Sequence, residues 1–117
     1  MINYPMIFKV SSQSTSGIQT IWHTQSEQYP KNIDVAIPPE FNGPGGGYSP
    51  EDLYATALTN CFIATFKVFA EKSRLNFNEI KIQADLSVDR NEKGHPWMSK
   101  IHLSIELLGV TQKENAQ

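Results

Sequence analysis

A chain of 117 residues with 39% hydrophobic residues, 19% charged residues and a formal net charge of -2 has the make-up of one globular domain with a modest core, which excludes a disordered chain. Its ten Lys and Arg are scattered from Lys9 to Lys113, which excludes a basic stripe for nucleic acid or an anionic membrane. The single cysteine, Cys61, excludes an intramolecular disulfide and fits a reducing compartment, so the expected location is the cytoplasm.

The opening "MINYPMIF" lacks a charged n-region, a long apolar run and a cleavage site, and is not expected to be a signal peptide. Residues 6–10 ("MIFKV"), 17–25 ("GIQTIWHTQ") and 32–37 ("NIDVAI") are short runs rich in β-branched and aromatic residues, separated by Ser, Gln, Pro and Lys. They predict three strands. Residues 38–50 ("PPEFNGPGGGYSP") are dense in Gly and Pro and predict a flexible loop.

Several signals start a helix after that loop. Ser49 is a good N-cap, Pro50 suits the first helical position, and Asp52 takes the capping-box position. Tyr48 and Leu53 have the spacing of a hydrophobic staple. At 100° per residue, Tyr54, Ala57, Leu58, Cys61 and Val68 share one face, and Phe62, Phe66 and Phe69 the next. Thr56, Asn60, Lys67 and Glu71 leave only a narrow polar strip, so the helix must be covered on most sides. It is expected to end near Arg74, where a cation suits the C-terminal dipole. Its most apolar run, "CFIATFKVFA", is broken by Lys67 and reads as too short to cross a bilayer.

Two amphipathic strands follow. Ile80, Ile82, Ala84, Leu86 and Val88 alternate with polar residues over 79–90, and Ile101, Leu103, Ile105 and Leu107 do so over 98–108. Period-two alternation predicts half-buried strands, and "RNEKGHPW" between them predicts a hairpin. Thr111 and Glu114 have capping-box spacing, but only six residues follow Thr111, too few to hold a helix unaided. Either the segment frays or most of a second helix is missing; the expectation is the latter, a truncated second helix.

Cys61 has two readings from spacing alone. A free cysteine on an apolar helix face is a buried core thiol or, given an electropositive setting, a nucleophile. It lies about 15 Å along the helix axis from the first turn, beyond the reach of the N-terminal dipole. Glu51 complements that dipole. Ten residues before Cys61, it cannot meet the thiol within one straight helix, but antiparallel helices across a two-fold axis would bring the two together. "GPGGG" lacks the ending of a P-loop and the spacing of a dinucleotide fingerprint. His23, His95 and His102 have no metal-ligand spacing. No metal and no cofactor is expected.

The stretch "PPEFNGPGGGYSPEDLYATALTNCF", then "LNFNEIKIQADLSVDR" and "KIHLSIELLG", resembles the OsmC/Ohr family of bacterial thiol peroxidases. The likeness runs from Pro38 to Gly109 and rests on the Gly-rich loop, the S-P-E at the helix start and the cysteine ten residues after that Glu. The resemblance implies an α+β, OsmC-like fold. N-terminal antiparallel strands, a long buried central helix and further antiparallel strands would be joined in an intertwined homodimer. It implies Cys61 as the peroxidatic thiol, oxidised by an organic hydroperoxide and reset by an external thiol reductant, with Glu51 in the network that positions it. No nucleic acid or membrane partner is implied. The chain departs from the family pattern at two points. Its only arginines are Arg74 and Arg90, neither at the places where the family puts its thiolate-stabilising Arg; Ile18 and Gln19 stand near one, Glu40 near the other. A second, resolving cysteine is absent. The alternatives are a non-catalytic dimer that binds an apolar small molecule, or a structural dimerisation module.

Overall fold

Antiparallel pairing organises both ends of the chain in the computed structural model, which describes residues 2–112. Residues 1–53 and 54–117 form two units. In the first, β1 (Val10–Gln13), β2 (Trp22–Ser26) and β3 (Ile33–Val35) make an antiparallel sheet in the order β1-β2-β3.

The first two strands are displaced from their expected positions. β1 is the polar "VSSQ" and not the apolar 6–10. Cross-strand polar bonds select that register: Ser12 Oγ donates to Thr24 Oγ1 at 2.8 Å, and Thr24 Oγ1 donates to the Ser11 carbonyl at 3.1 Å. Met6, Ile7 and Phe8 stay exposed. Residues 17–20 are a turn closed by Thr20 N donating to the Gly17 carbonyl at 3.2 Å, with Gly17 at φ 110°. β2 therefore starts only at Trp22.

The Gly-rich segment is not the free loop expected from its composition. A short 3-10 helix spans Pro39–Phe41. Beyond it, Gly43 N donates to Pro38 O at 3.0 Å and Gly45 N to Ile37 O at 3.1 Å. Tyr48 then bridges β3, donating to Asp34 O at 2.9 Å and accepting from Ala36 N at 3.0 Å. Glycine is required because backbone closes on backbone: a Cβ on Gly43 would overlap the Ile37 carbonyl, and one on Gly47 would lie 2.8 Å from the Asp34 carbonyl oxygen. Val35 and Ala36, at 2% and 1% exposure, sit at this contact.

The long helix α1 spans Pro50–Ser73. The expected capping box is formed reciprocally: Asp52 N donates to Ser49 Oγ at 3.0 Å, and Ser49 N donates to Asp52 Oδ2 at 3.1 Å, which satisfies two helix-end donors. The helix stops at Ser73 because Arg74 turns left-handed, at φ 57°. Of its 24 residues only Ala70 is buried, so the described residues leave much of its apolar surface exposed. By length and composition alone α1 would suffice to cross a bilayer. The expectation of too short a run counted only the residues around Cys61 and is corrected here, although a core helix meets the same criterion.

In the second unit β4 (Leu75–Asn76) pairs with β7 (Thr111–Gln112), and β5 (Glu79–Arg90) pairs with β6 (Pro96–Leu108) as a long antiparallel hairpin. Ile80, Ile82, Ala84 and Leu86 stand opposite Leu107, Ile105, Leu103 and Ile101, as their alternation predicts. A register shift after Ser87 pairs Val88 with Met98. The extra residue is Ser99, whose hydroxyl donates to Asp89 Oδ2 at 2.6 Å. This bulge keeps Met98 on the apolar face despite its odd spacing from Ile101. The hairpin turn is held by Asn91 Oδ1, which accepts from Lys93 N and His95 N. Thr111 is in a strand and not at a helix start; the expected second helix, from Glu114 on, lies outside the described residues.

Two substitutions test these helix ends. Ser49→Ala should lower stability by about 1 kcal/mol through loss of the cap. Arg74→Gly should raise it by roughly 0.5–1 kcal/mol, because glycine adopts the left-handed position without a steric penalty. Urea unfolding of the two variants beside the parent reads both signs.

Candidate active site

The helix that carries the site is apolar around most of its circumference, and the structure divides that circumference in two. Ala55, Leu58, Thr59, Ile63, Phe66 and Ala70 form a half-buried to buried stripe with the three-and-four spacing of one helix face. Phe66 anchors it, edge-on to Phe77 with ring centroids 5.3 Å apart. The other side is open. Tyr54 and Val68 are 50% and 54% exposed, Phe62 and Phe69 flank them, and Cys61 lies among them.

Cys61 is therefore a free, exposed thiol and not the buried core residue that its apolar neighbours suggested. The reason is the packing direction of α1. The helix turns its Phe66 stripe inward and leaves the Tyr54–Cys61–Val68 face exposed among the described residues. Two polar side chains close to Cys61 in sequence are engaged with backbone: Asn60 Nδ2 and Thr59 Oγ1 both donate to the Thr56 carbonyl, at 2.8 and 3.0 Å.

Glu51 lies in the first turn of α1, where a carboxylate complements the unpaired N–H groups. One of its oxygens, Oε1, is buried without a hydrogen-bond partner among the described residues. A buried acceptor left unmade is costly, so this oxygen calls for a donor. Cys61 of the same chain is not that donor, since ten residues of helix set the two about 15 Å apart along the axis. The structure thus places both expected site residues on α1 without bringing them together.

Two polar arrangements were not legible in the sequence. Gln19, near the place where the resemblance sets an Arg, donates its Nε2 to the Asn42 carbonyl at 2.6 Å and ties the 17–20 turn to the Gly-rich segment. His23 Nε2 lies 3.1 Å from Asp34 Oδ1 across β2 and β3, with both side chains more than half exposed. The contacts join residues 23 and 11 positions apart, and only the strand register reveals them. Among the described residues no group of His, Cys, Asp and Glu is arranged to hold a metal ion.

Comparison with known proteins agrees with this architecture. An uncharacterised protein of Acinetobacter baylyi is 25% identical over 75 residues, which are 63% of this chain and 52% of that relative. An uncharacterised protein of Bacillus subtilis is 29% identical over 51 residues, 44% of this chain and 34% of that relative. The matched part thus spans about half of one relative and a third of the other. Among solved structures, an OsmC-like protein of unknown function from Vibrio cholerae superposes with a TM-score of 0.73 at 17% identity, covering 92% of this chain and 78% of that one. An organic hydroperoxide resistance protein from Elizabethkingia anophelis gives 0.70 at 19% identity, over 92% and 75%. These likenesses establish the mixed α+β fold. Residues 43–117, the Gly-rich segment through the helix and the hairpin, match the family described as OsmC-like protein, and the chain belongs to that family.

Proposed function

We infer that the protein is a thiol-dependent peroxidase that reduces organic hydroperoxides through Cys61, working as a cytoplasmic homodimer. The observation that carries this reading is the free Cys61 thiol, exposed at the centre of an apolar helix face. Two structural neighbours, from Elizabethkingia anophelis and Legionella pneumophila, are named organic hydroperoxide resistance proteins, which supports it.

The reaction balances without a cofactor. The Cys61 sulfur attacks the terminal oxygen of the hydroperoxide, the O–O bond breaks, and the alkoxide leaves as an alcohol after taking a proton. Cys61 becomes a sulfenic acid. One external thiol condenses with it, releasing water and forming a mixed disulfide. A second external thiol attacks that disulfide, restores Cys61 and departs as the oxidised reductant. An external reductant is needed because the chain contains one cysteine.

The exposed surface supports the dimer. Val35, Ala36 and Ala70 are the buried hydrophobic residues among those described, while Tyr54, Phe62, Val68 and Phe69 of α1 face outward with Cys61. Contiguous apolar surface of this kind marks an interface. Two α1 helices antiparallel across a two-fold axis would cover both faces, set Glu51 of one subunit beside Cys61 of the partner subunit, and supply surroundings for the unpaired Glu51 oxygen. The apolar walls would favour an alkyl hydroperoxide over hydrogen peroxide.

A second reading is a non-catalytic dimer that holds an apolar small molecule at the same place. It is favoured by the lack of an arginine at either expected position and by the engagement of Gln19 with a backbone carbonyl, since neither leaves a cation to steady a thiolate.

Three measurements test the proposal. Sedimentation at micromolar concentration should give a dimer; a folded monomer would remove the shared site. Oxidation of a Glu51→Cys variant should give a disulfide-linked dimer on a non-reducing gel, and the band should vanish when Cys61→Ser is added, because linkage needs Cα atoms within about 7 Å. Mass spectrometry of the Cys61 peptide with a sulfenic-acid trap should show oxidation by an alkyl hydroperoxide. The preference over hydrogen peroxide should grow about fourfold per buried methylene. Inertness to both oxidants in the folded dimer would leave the ligand-binding reading.

A further inference from the structure

Asn42 is the one asparagine in the chain that glycine follows. At such a step the glycine amide nitrogen can close on the asparagine side-chain carbonyl carbon, because no Cβ obstructs its approach. Packing makes this step unavoidable here, since any side chain at residue 43 would overlap the Ile37 carbonyl. The same packing also guards it. Asn42 is left-handed, at φ 66° and ψ 24°, and that ψ turns the Gly43 nitrogen away from the Asn42 Cβ. The Gly43 N–H is engaged with the Pro38 carbonyl at 3.0 Å, and the Asn42 N–H with the Pro39 carbonyl at 2.9 Å. Gln19 closes the arrangement from the neighbouring turn, its Nε2 2.6 Å from the Asn42 carbonyl oxygen.

We propose that Asn42–Gly43 is a spontaneous deamidation site whose rate is set by opening of the Gly-rich segment, with Gln19 as the latch that holds it closed. When the segment opens and ψ rotates, the Gly43 nitrogen loses its proton and forms a bond to Asn42 Cγ. The Cγ–Nδ2 bond breaks and ammonia leaves. Water then opens the resulting succinimide at either carbonyl, giving an aspartyl or an isoaspartyl residue. Both products carry a new carboxylate. The isoaspartyl form also routes the main chain through Cβ, which moves the carbonyl that Gln19 holds, so the segment cannot reclose with the same bonds. The reaction consumes water alone and acts seven residues before the Ser49 cap of α1.

The test is incubation of the full chain at mildly alkaline pH, with mass spectrometry of the peptide containing residues 38–48 at intervals. The denatured chain should deamidate fastest and the folded parent slowest. Gln19→Ala should react about threefold faster than the folded parent with its melting temperature lowered by only a few degrees, because loss of one side-chain hydrogen bond raises the open population by that order. Gln19→Glu, which keeps the length but loses the donor, should match it. Hydrogen exchange at the Gly43 amide reads the opening directly and should rise in step. A folded parent that reacts as fast as the denatured chain would overturn the protection. So would Gln19 variants whose Gly43 amide exchanges faster while Asn42 deamidates no faster, or variants in which neither rate changes.

Discussion

One helix sets the problem that the rest of the structure answers. α1 carries apolar residues around most of its circumference, yet among the described residues the half-buried or buried part is the stripe through Ala55, Ile63, Phe66 and Ala70. A helix formed by 24 residues gains most of its stability from packing and little from propensity, which makes the exposed apolar face with Tyr54, Val68 and Phe69 its most unusual feature. Cys61 acquires its chemical setting from the same arrangement, since whatever covers that face also lines the space around the thiol.

The entry to α1 is the best-determined local feature. Glycines 43 and 47 let backbone pack directly on backbone, Tyr48 joins β3, and Ser49 with Asp52 closes the helix end. These contacts fix Glu51 in the first turn of the helix, where its Oε1 is buried without a partner among the described residues. The Gly-rich segment thus works as a positioning device. Composition alone had suggested slack chain, because glycine is common both where the backbone must be free and where it must come close. The contacts of Gly43 and Gly47 select the second case.

The chemistry open to Cys61 is bounded by what surrounds it. The helix dipole acts within the first turn, and Cys61 is well beyond it. Asn60 and Thr59 are committed to the Thr56 carbonyl, and the two arginines sit after α1 and at the end of β5. Neither the dipole nor these side chains supplies Cys61 with an activating charge.

Much was legible in the sequence because it depends on neighbours along the chain. The S-P-E-D run fixes a helix start, since the capping groups and the donors they satisfy lie within one turn. The alternation at Ile80–Leu86 and Ile101–Leu107 fixes two strands and their faces, since period two is a property of extended backbone. The spacing of Glu51 and Cys61 was enough to suggest the family. Tertiary structure decided what depends on partners distant in sequence. The register of β1 was set by Ser12 and Thr24 and not by the apolar 6–10, because cross-strand bonding outweighed intrinsic preference. The bulge at Ser99 follows from the pairing of Val88 with Met98. The outward direction of Cys61 follows from which stripe of an almost uniformly apolar helix packs against Phe77. A sequence that is hydrophobic on nearly every side of a helix does not say which side turns inward; only contacts made elsewhere in the fold break that tie.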